Sequence, residues 1–136
     1  MKIVVTEWIW PNGLERLAAK EIDLVYDPGL WNKPELEREA EEADALIVRN
    51  QTRVDERLLR RARRLKVIGR LGVGLDNIDL TAAAERDIAV VSAKNANANA
   101  VAEYVIAAMF HACRAFHEAA DSVRRGEWDR KRFTRS

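Results

Sequence analysis

Five short apolar runs punctuate this chain, and a helical segment separates each from the next. "KIVVT", "IDLVYD", "DALIV", "LKVIGRL" and "IAVVSA" are apolar along their length and lack the in–out alternation of a half-exposed strand. Runs of this kind are what strands buried on both faces need, and both faces are buried when helices cover a parallel sheet. The intervening segments supply the helices: 11–20 after Pro11, 34–43 opening on Pro34, 54–64 with Asp55 as cap or first-turn acid, and 80–86. Proline suits a first helical turn because the amide proton it lacks would have no partner there. A longer helical segment, 97–125, follows the fifth run.

This order predicts an α/β fold: a flavodoxin-like, doubly wound, five-stranded parallel sheet of order 2-1-3-4-5, with a long C-terminal helix appended. A length of 136 residues suits one domain plus such an element. In doubly wound sheets ligands bind beyond the carboxyl ends of the strands. Segments 8–10, 49–52, 71–77 and 94–98 are therefore the candidate ligand-facing positions.

Net charge is +1, so no overall field selects nucleic acid or an anionic membrane. Residues 1–50 carry 6 basic and 11 acidic side chains, and residues 51–136 carry 17 and 11. That asymmetry fits two packed layers as well as it fits a binding tail. The single cysteine, Cys113, excludes an intrachain disulfide and agrees with a reducing compartment. The start "MKIVV" is too quickly polar for a signal peptide, and no apolar stretch is long enough to cross a bilayer. A cytoplasmic, membrane-free protein is expected, with no metal site.

"GRLGVGLDNID", residues 69–79, holds three glycines in six residues directly after the fourth run. A dinucleotide fingerprint needs G-x-G-x-x-G, and here Gly72 and Gly74 are followed by Leu75, Asp76 and Asn77. The third glycine is missing, and so is the G-K-[ST] of a phosphate loop. Two readings stay open on the residues alone. The loop is an amide nest sized for a single carboxylate. Alternatively it is a tight turn in which Asp76 or Asn77 caps the next helix.

Residues 65–107, "LKVIGRLGVGLDNIDLTAAAERDIAVVSAKNANANAVAEYVIA", resemble the D-isomer-specific 2-hydroxyacid dehydrogenases. That family carries "IGRxGxGxDNVD", then a strand, a loop with asparagine, and "SVAE" opening a long helix. "LIVRNQTRV", residues 46–54, is similar to its "hhhRSxTxh" segment. The resemblance covers nearly the whole chain and is that of the amino-terminal portion of a phosphoglycerate dehydrogenase-like enzyme. It implies a two-domain protein that passes a hydride between NAD or NADP and C2 of a small 2-hydroxy or 2-keto acid. Residues 1–96 would belong to the substrate-binding domain. Residues 97–136 would be an interdomain and dimerisation helix with a linker, at the start of the NAD-binding domain.

The resemblance also implies roles residue by residue. Gly72, Val73 and Gly74 would hold the substrate carboxylate, with Arg49, Asn50 and Asn97 lining the same cleft. An arginine fork pairs with carboxylate in two bonds. Val73 and Ala98 would touch only the edge of the cofactor, whose main site lies outside this chain. The departures are Asn50 where a small hydroxyl residue is usual, Ala98 and Ala100 in place of hydroxyls, and Lys94 in place of proline. Asn97 or Asn99 would cap the long helix instead. No catalytic residue can be placed on the chain, so it is expected to be inactive alone. A stand-alone module binding a small carboxylate or a protein partner is the alternative.

The remaining constellations have plainer readings. The basic run 60–66 lies on a helix whose leucines face inward, and it is expected to pair with the acidic helix of residues 35–42 rather than with nucleic acid. Trp8 and Trp10 pack at the first strand's exit or shape a cleft mouth. His111 and His117 are packing or surface residues. Cys113 is a small apolar residue on a buried helix stripe. That stripe, alanine-rich from Val101 to Val123, predicts a homodimer through 97–125. A phosphorylated receiver domain has the same fold class, but the third strand here ends in Arg49, not aspartate.

Overall fold

The computed structural model describes residues 1–134. The chain divides into two compact units, Met1–Asn95 and Ala96–Ser136. In the first, β1 (Lys2–Val5), β2 (Asp23–Tyr26), β3 (Ala45–Val48), β4 (Val67–Arg70) and β5 (Ala89–Ser92) form one sheet. The order is β2-β1-β3-β4-β5 and every pairing is parallel, as the alternation predicts. Four helices connect the strands: α1 (Pro11–Ala18), α2 (Glu35–Glu42), α3 (Glu56–Arg61) and α4 (Leu80–Ala84). A 3-10 turn at Leu30–Asn32 precedes α2.

Alternate strand residues point to opposite faces of the sheet, and the two faces are covered unequally. On one, Val4, Leu46, Val48 and Ile68 pack with Ala40 of α2, Leu58 and Leu59 of α3 and Ala82 and Ala83 of α4. On the other, Ile3, Val5 and Ala45 pack with Leu14 and Leu17 of α1. Leu59 is fully buried, and its truncation to alanine would cost about 2–5 kcal/mol.

Side-chain caps stop the short helices from fraying. Asp55 accepts the Leu58 amide at 3.0 Å to open α3, and Asp79 accepts the Ala82 amide at 2.9 Å to open α4. The cap of α4 is thus Asp79, not Asp76 or Asn77. The basic run pairs with α2 through Arg61, which reaches Glu37 and, at 3.0 Å, Glu41; Arg57, ahead of the run, also reaches Glu37, and Arg64 reaches Asp44, just past α2, at 3.2 Å. The arginine bonds hold the Glu37 carboxyl below its usual range.

The second unit departs from the expected single helix. α5 (Ala98–Cys113) ends at Arg114, whose backbone is extended, and α6 (Phe116–Arg124) starts anew. Neither glycine nor proline stands at the break, so nothing local in the sequence announces it. The turn brings His111 and His117 edge to face at 4.6 Å. Residues six apart on one continuous helix would lie about 120° apart around it. No residue of α5 is buried, and Cys113 is exposed. Within the single chain the alanine-rich stripe is therefore uncovered, Cys113 included, as expected of a face that seeks a second subunit. Asn97 stands at the start of α5 without a side-chain capping bond, and Asn99 lies inside the helix. No helix among the described residues is long and apolar enough to cross a membrane.

Candidate functional site

The carboxyl ends of β1, β3 and β4 lie side by side because those strands are neighbours in the sheet. Three segments meet there. Thr6, Glu7 and Trp8 leave β1, residues 49–52 leave β3, and the glycine loop leaves β4.

The β3 exit is the most heavily bonded of the three. Glu7, 2% exposed, turns back under it. One carboxylate oxygen accepts the amides of Arg49 (2.8 Å) and Thr52 (2.9 Å) and the Thr52 hydroxyl (2.7 Å). The other accepts the amides of Asn50 (3.2 Å) and Gln51 (3.0 Å). Since the Thr52 proton goes to Glu7, the Thr52 oxygen accepts from the Thr6 hydroxyl at 2.6 Å. Burial pushes the Glu7 carboxyl up, but the bonds from Thr52, Arg49 and Gln51 outweigh it and hold the group below its usual value. A charged carboxylate among five donors is a satisfied buried charge.

Asn77, from the glycine-loop segment, grips the same β3 exit by its carbonyls. Its side-chain amide donates to Arg49 O at 3.0 Å and Thr52 O at 2.7 Å. The two segments are joined further by Val54 N to Asn77 O at 2.8 Å and Asp79 N to Val54 O at 2.9 Å. Arg49 and Asn50 are therefore fixed beside the glycine loop by backbone bonds. The Arg49 guanidinium donates to Trp8 O at 3.2 Å and lies 5.6 Å from the Trp8 ring centroid. Trp8 in turn meets Trp10 edge to face at 4.8 Å, and both rings are exposed. The tryptophans pack on each other and on Arg49 at the rim of the sheet.

The glycine loop is built differently. Leu71 N binds Val48 O at 2.9 Å and Ala93 N binds Gly72 O at 3.0 Å, which anchors the loop to β3 and to the β5 exit. Beyond those anchors, the Val73 and Gly74 amides make no hydrogen bond within the described residues. Both residues are exposed. A Cβ on Gly72 would fall 1.4 Å from the Arg70 guanidinium, so that side chain lies over the loop. The Arg70 Nε is buried and has no hydrogen-bond partner among the described residues. Arg70 is thus a second cation at the loop that sequence reasoning missed. Its position as the last residue of β4 was the available signal.

The structure brings Arg49, Asn50, Gly72, Val73 and Gly74 together at one end of the sheet. Asn97 and Ala98 belong to the second unit, where they open α5. Glu7 and Asn77, which hold the site, were not among the expected site residues. Both make their decisive contacts with residues 25 or more positions away.

Chemically the arrangement offers the unpaired amides of residues 73–77, Val73 and Gly74 at the exposed tip among them, and two arginines on adjacent strand exits, a surface for a small anion. A dinucleotide finds less. The loop lacks a third glycine and leads into α4, a helix of only five residues. The described residues of this loop therefore do not fit a pyrophosphate.

A family model described as "D-isomer specific 2-hydroxyacid dehydrogenase, catalytic domain" matches residues 3–129. The chain is 40% identical over 133 residues to a D-3-phosphoglycerate dehydrogenase of Archaeoglobus fulgidus, covering 98% of this chain and 25% of that protein. It is 52% identical over 87 residues to an (S)-sulfolactate dehydrogenase of Chromohalobacter salexigens, covering 64% of this chain and 28% of that protein. Among solved structures, the NAD+-bound 3-phosphoglycerate dehydrogenase of Entamoeba histolytica superposes with a TM-score of 0.66 at 32% identity. That match covers 81% of this chain and 38% of the other. The chain spans about a quarter of the length of the curated relatives it matches.

Proposed function

The chain belongs to the D-isomer-specific 2-hydroxyacid dehydrogenase family, and from that premise we propose that it is the amino-terminal, substrate-binding part of an NAD(P)-dependent enzyme of this kind. The observation that carries the reading is the pair of unpaired amides at Val73 and Gly74, set beside Arg49 on the neighbouring strand exit. The amides take the acid's carboxylate, and Arg49 and Arg70 supply positive charge to its oxygens or to a second anionic group. Asn50 adds an amide side chain at the same rim, and Asn97 at the start of α5 is the further candidate contact. The three relatives described above are named for acids that carry such a second anionic group, a phosphate or a sulfonate.

The nicotinamide cofactor supplies or accepts the hydride at C2 when it is bound. Val73 and Ala98 would touch only its edge. This chain's own part is to bind and orient the acid, and it carries no step of the redox chemistry by itself. The exposed apolar residues of α5, among them Val101, Val105, Ile106 and Met109, form a homodimer contact. A single unpaired cysteine suits a reducing, cytoplasmic setting.

Two measurements test the reading. Titration of the 136-residue chain with D-3-phosphoglycerate, followed by amide NMR, should move Val73 and Gly74 first; no response at either amide sinks it. Purified chain with NAD(H) or NADP(H) and 2-keto acids should show no turnover, and measurable turnover would refute the assignment of catalysis to other residues.

A further inference from the structure

Glu7 has no role in the reading above, yet it is the most heavily bonded side chain in the site. Five donors from residues 49–52 converge on its two oxygens. Four successive amides aim at one point only if the chain curls around it, and aligned amide dipoles repel one another unless an anion lies at the focus. The protein supplies that anion itself. The β3 exit is a nest already filled by an internal carboxylate, whereas the β4 exit leaves its Val73 and Gly74 amides open.

The consequences reach Arg49 by two routes. Glu7 bonds the Arg49 amide directly, which fixes where the side chain begins. The next residue, Trp8, offers its carbonyl and its ring to the guanidinium, which fixes where the side chain ends. Asn50 is held through its own amide. Asn77 closes the grip from the glycine-loop side. Loss of the Glu7 charge would therefore loosen the two β3-exit site residues while leaving the rest of the sheet bonded.

We propose that Glu7 is a positioning residue of this site: its buried carboxylate holds the 49–52 loop so that Arg49 and Asn50 face the bound acid, and affinity for the acid depends on Glu7 without contact between them. The proposal rests on the reading of the site as a 2-hydroxyacid site.

Charge and shape can be separated by substitution. In Glu7→Gln an amide nitrogen must replace one oxygen. In either orientation it faces two backbone N–H groups that need an acceptor. Glu7→Asp keeps the charge and shortens the reach by one methylene. Leu59→Ala, on the core face of α3, lowers stability without removing any of the loop's hydrogen bonds.

The test uses the 136-residue chain and amide NMR. In the wild type the Arg49, Asn50, Gln51 and Thr52 amides should titrate together with one acidic midpoint. D-3-phosphoglycerate should bind Glu7→Gln about tenfold or more weakly than wild type, as expected when a buried charged acceptor is lost. Glu7→Asp should recover part of that loss, and Leu59→Ala should stay within about twofold. Independent titration of the four amides overturns the proposal, whether or not the variants fold. Wild-type affinity in Glu7→Gln, or an equal loss in Leu59→Ala, also overturns it and leaves the carboxylate site standing. Absence of any response of wild-type Val73 and Gly74 to the ligand removes the site reading itself, and the proposal falls with it.

Discussion

The loops that leave β3 and β4 start from neighbouring strands and are built on opposite plans. The β3 exit spends all four of its amides on Glu7 and two of its carbonyls on Asn77. The β4 exit is anchored at Leu71 and Gly72 and leaves the amides at its tip unused. The first loop is a strut, and the second is the receptacle of the proposed site. A binding site needs both, because unpaired amides discriminate ligands only if the groups around them stay in place.

The contrast can be broken most severely at Glu7. Glu7→Ala leaves five donors without their acceptor, of which the Thr52 amide and hydroxyl are buried, and stability should fall by about 2–5 kcal/mol, read by urea unfolding of the chain. A loss below about 1 kcal/mol would mean the strut is held by other bonds. Asn77→Ala removes two carbonyl bonds from the same loop, and about 1–3 kcal/mol should be lost in the same assay. An unchanged midpoint would leave Glu7 as the only clamp.

Acid titration should separate the loops without mutation. The Glu7 carboxyl is held below the ordinary glutamate value, near 4.3 in an unfolded chain. The group therefore contributes stability that is fully present above that value and lost as pH falls through the lower folded value. Amide protection factors at 49–52 should fall in that window, while those at Val73 and Gly74, already unprotected, stay level. Loops that respond alike would erase the distinction.

The smallest effect on stability is expected at the receptacle. A Cβ on Gly74 would meet the Asp76 carboxylate at 3.1 Å, and Asp76 is exposed and free to swing away. Gly74→Val should change unfolding free energy by no more than about 0.5 kcal/mol, yet it should weaken D-3-phosphoglycerate binding by crowding the open amides. Retained binding would place the carboxylate elsewhere.

Most of the fold was legible, for a local reason. Continuous apolar runs separated by helical segments admit few arrangements, and the runs fall where β1 to β5 form. The open loop was legible too, since glycines mark close backbone approach wherever they stand. Glu7 was not. It is one of 22 acidic residues, and nothing in "VTEW" distinguishes it until β1 pairs with β3 and brings residue 7 under residue 49. The break between α5 and α6 was hidden for a different reason. Residues 113–116 are compatible with helix, and apolar periodicity reports which face seeks cover, not where a helix stops.

The sequence by itself determined the sheet, its strand order, the glycine loop and the family, because each depends on residue types at short spacing. Only the tertiary structure decided which groups would be satisfied and which left open. Parallel pairing sets residues 42 positions apart side by side. A buried charge is tolerated only where such pairing brings it enough donors. Glu7 found five, and the amides of Val73 and Gly74 were left without a partner among the described residues.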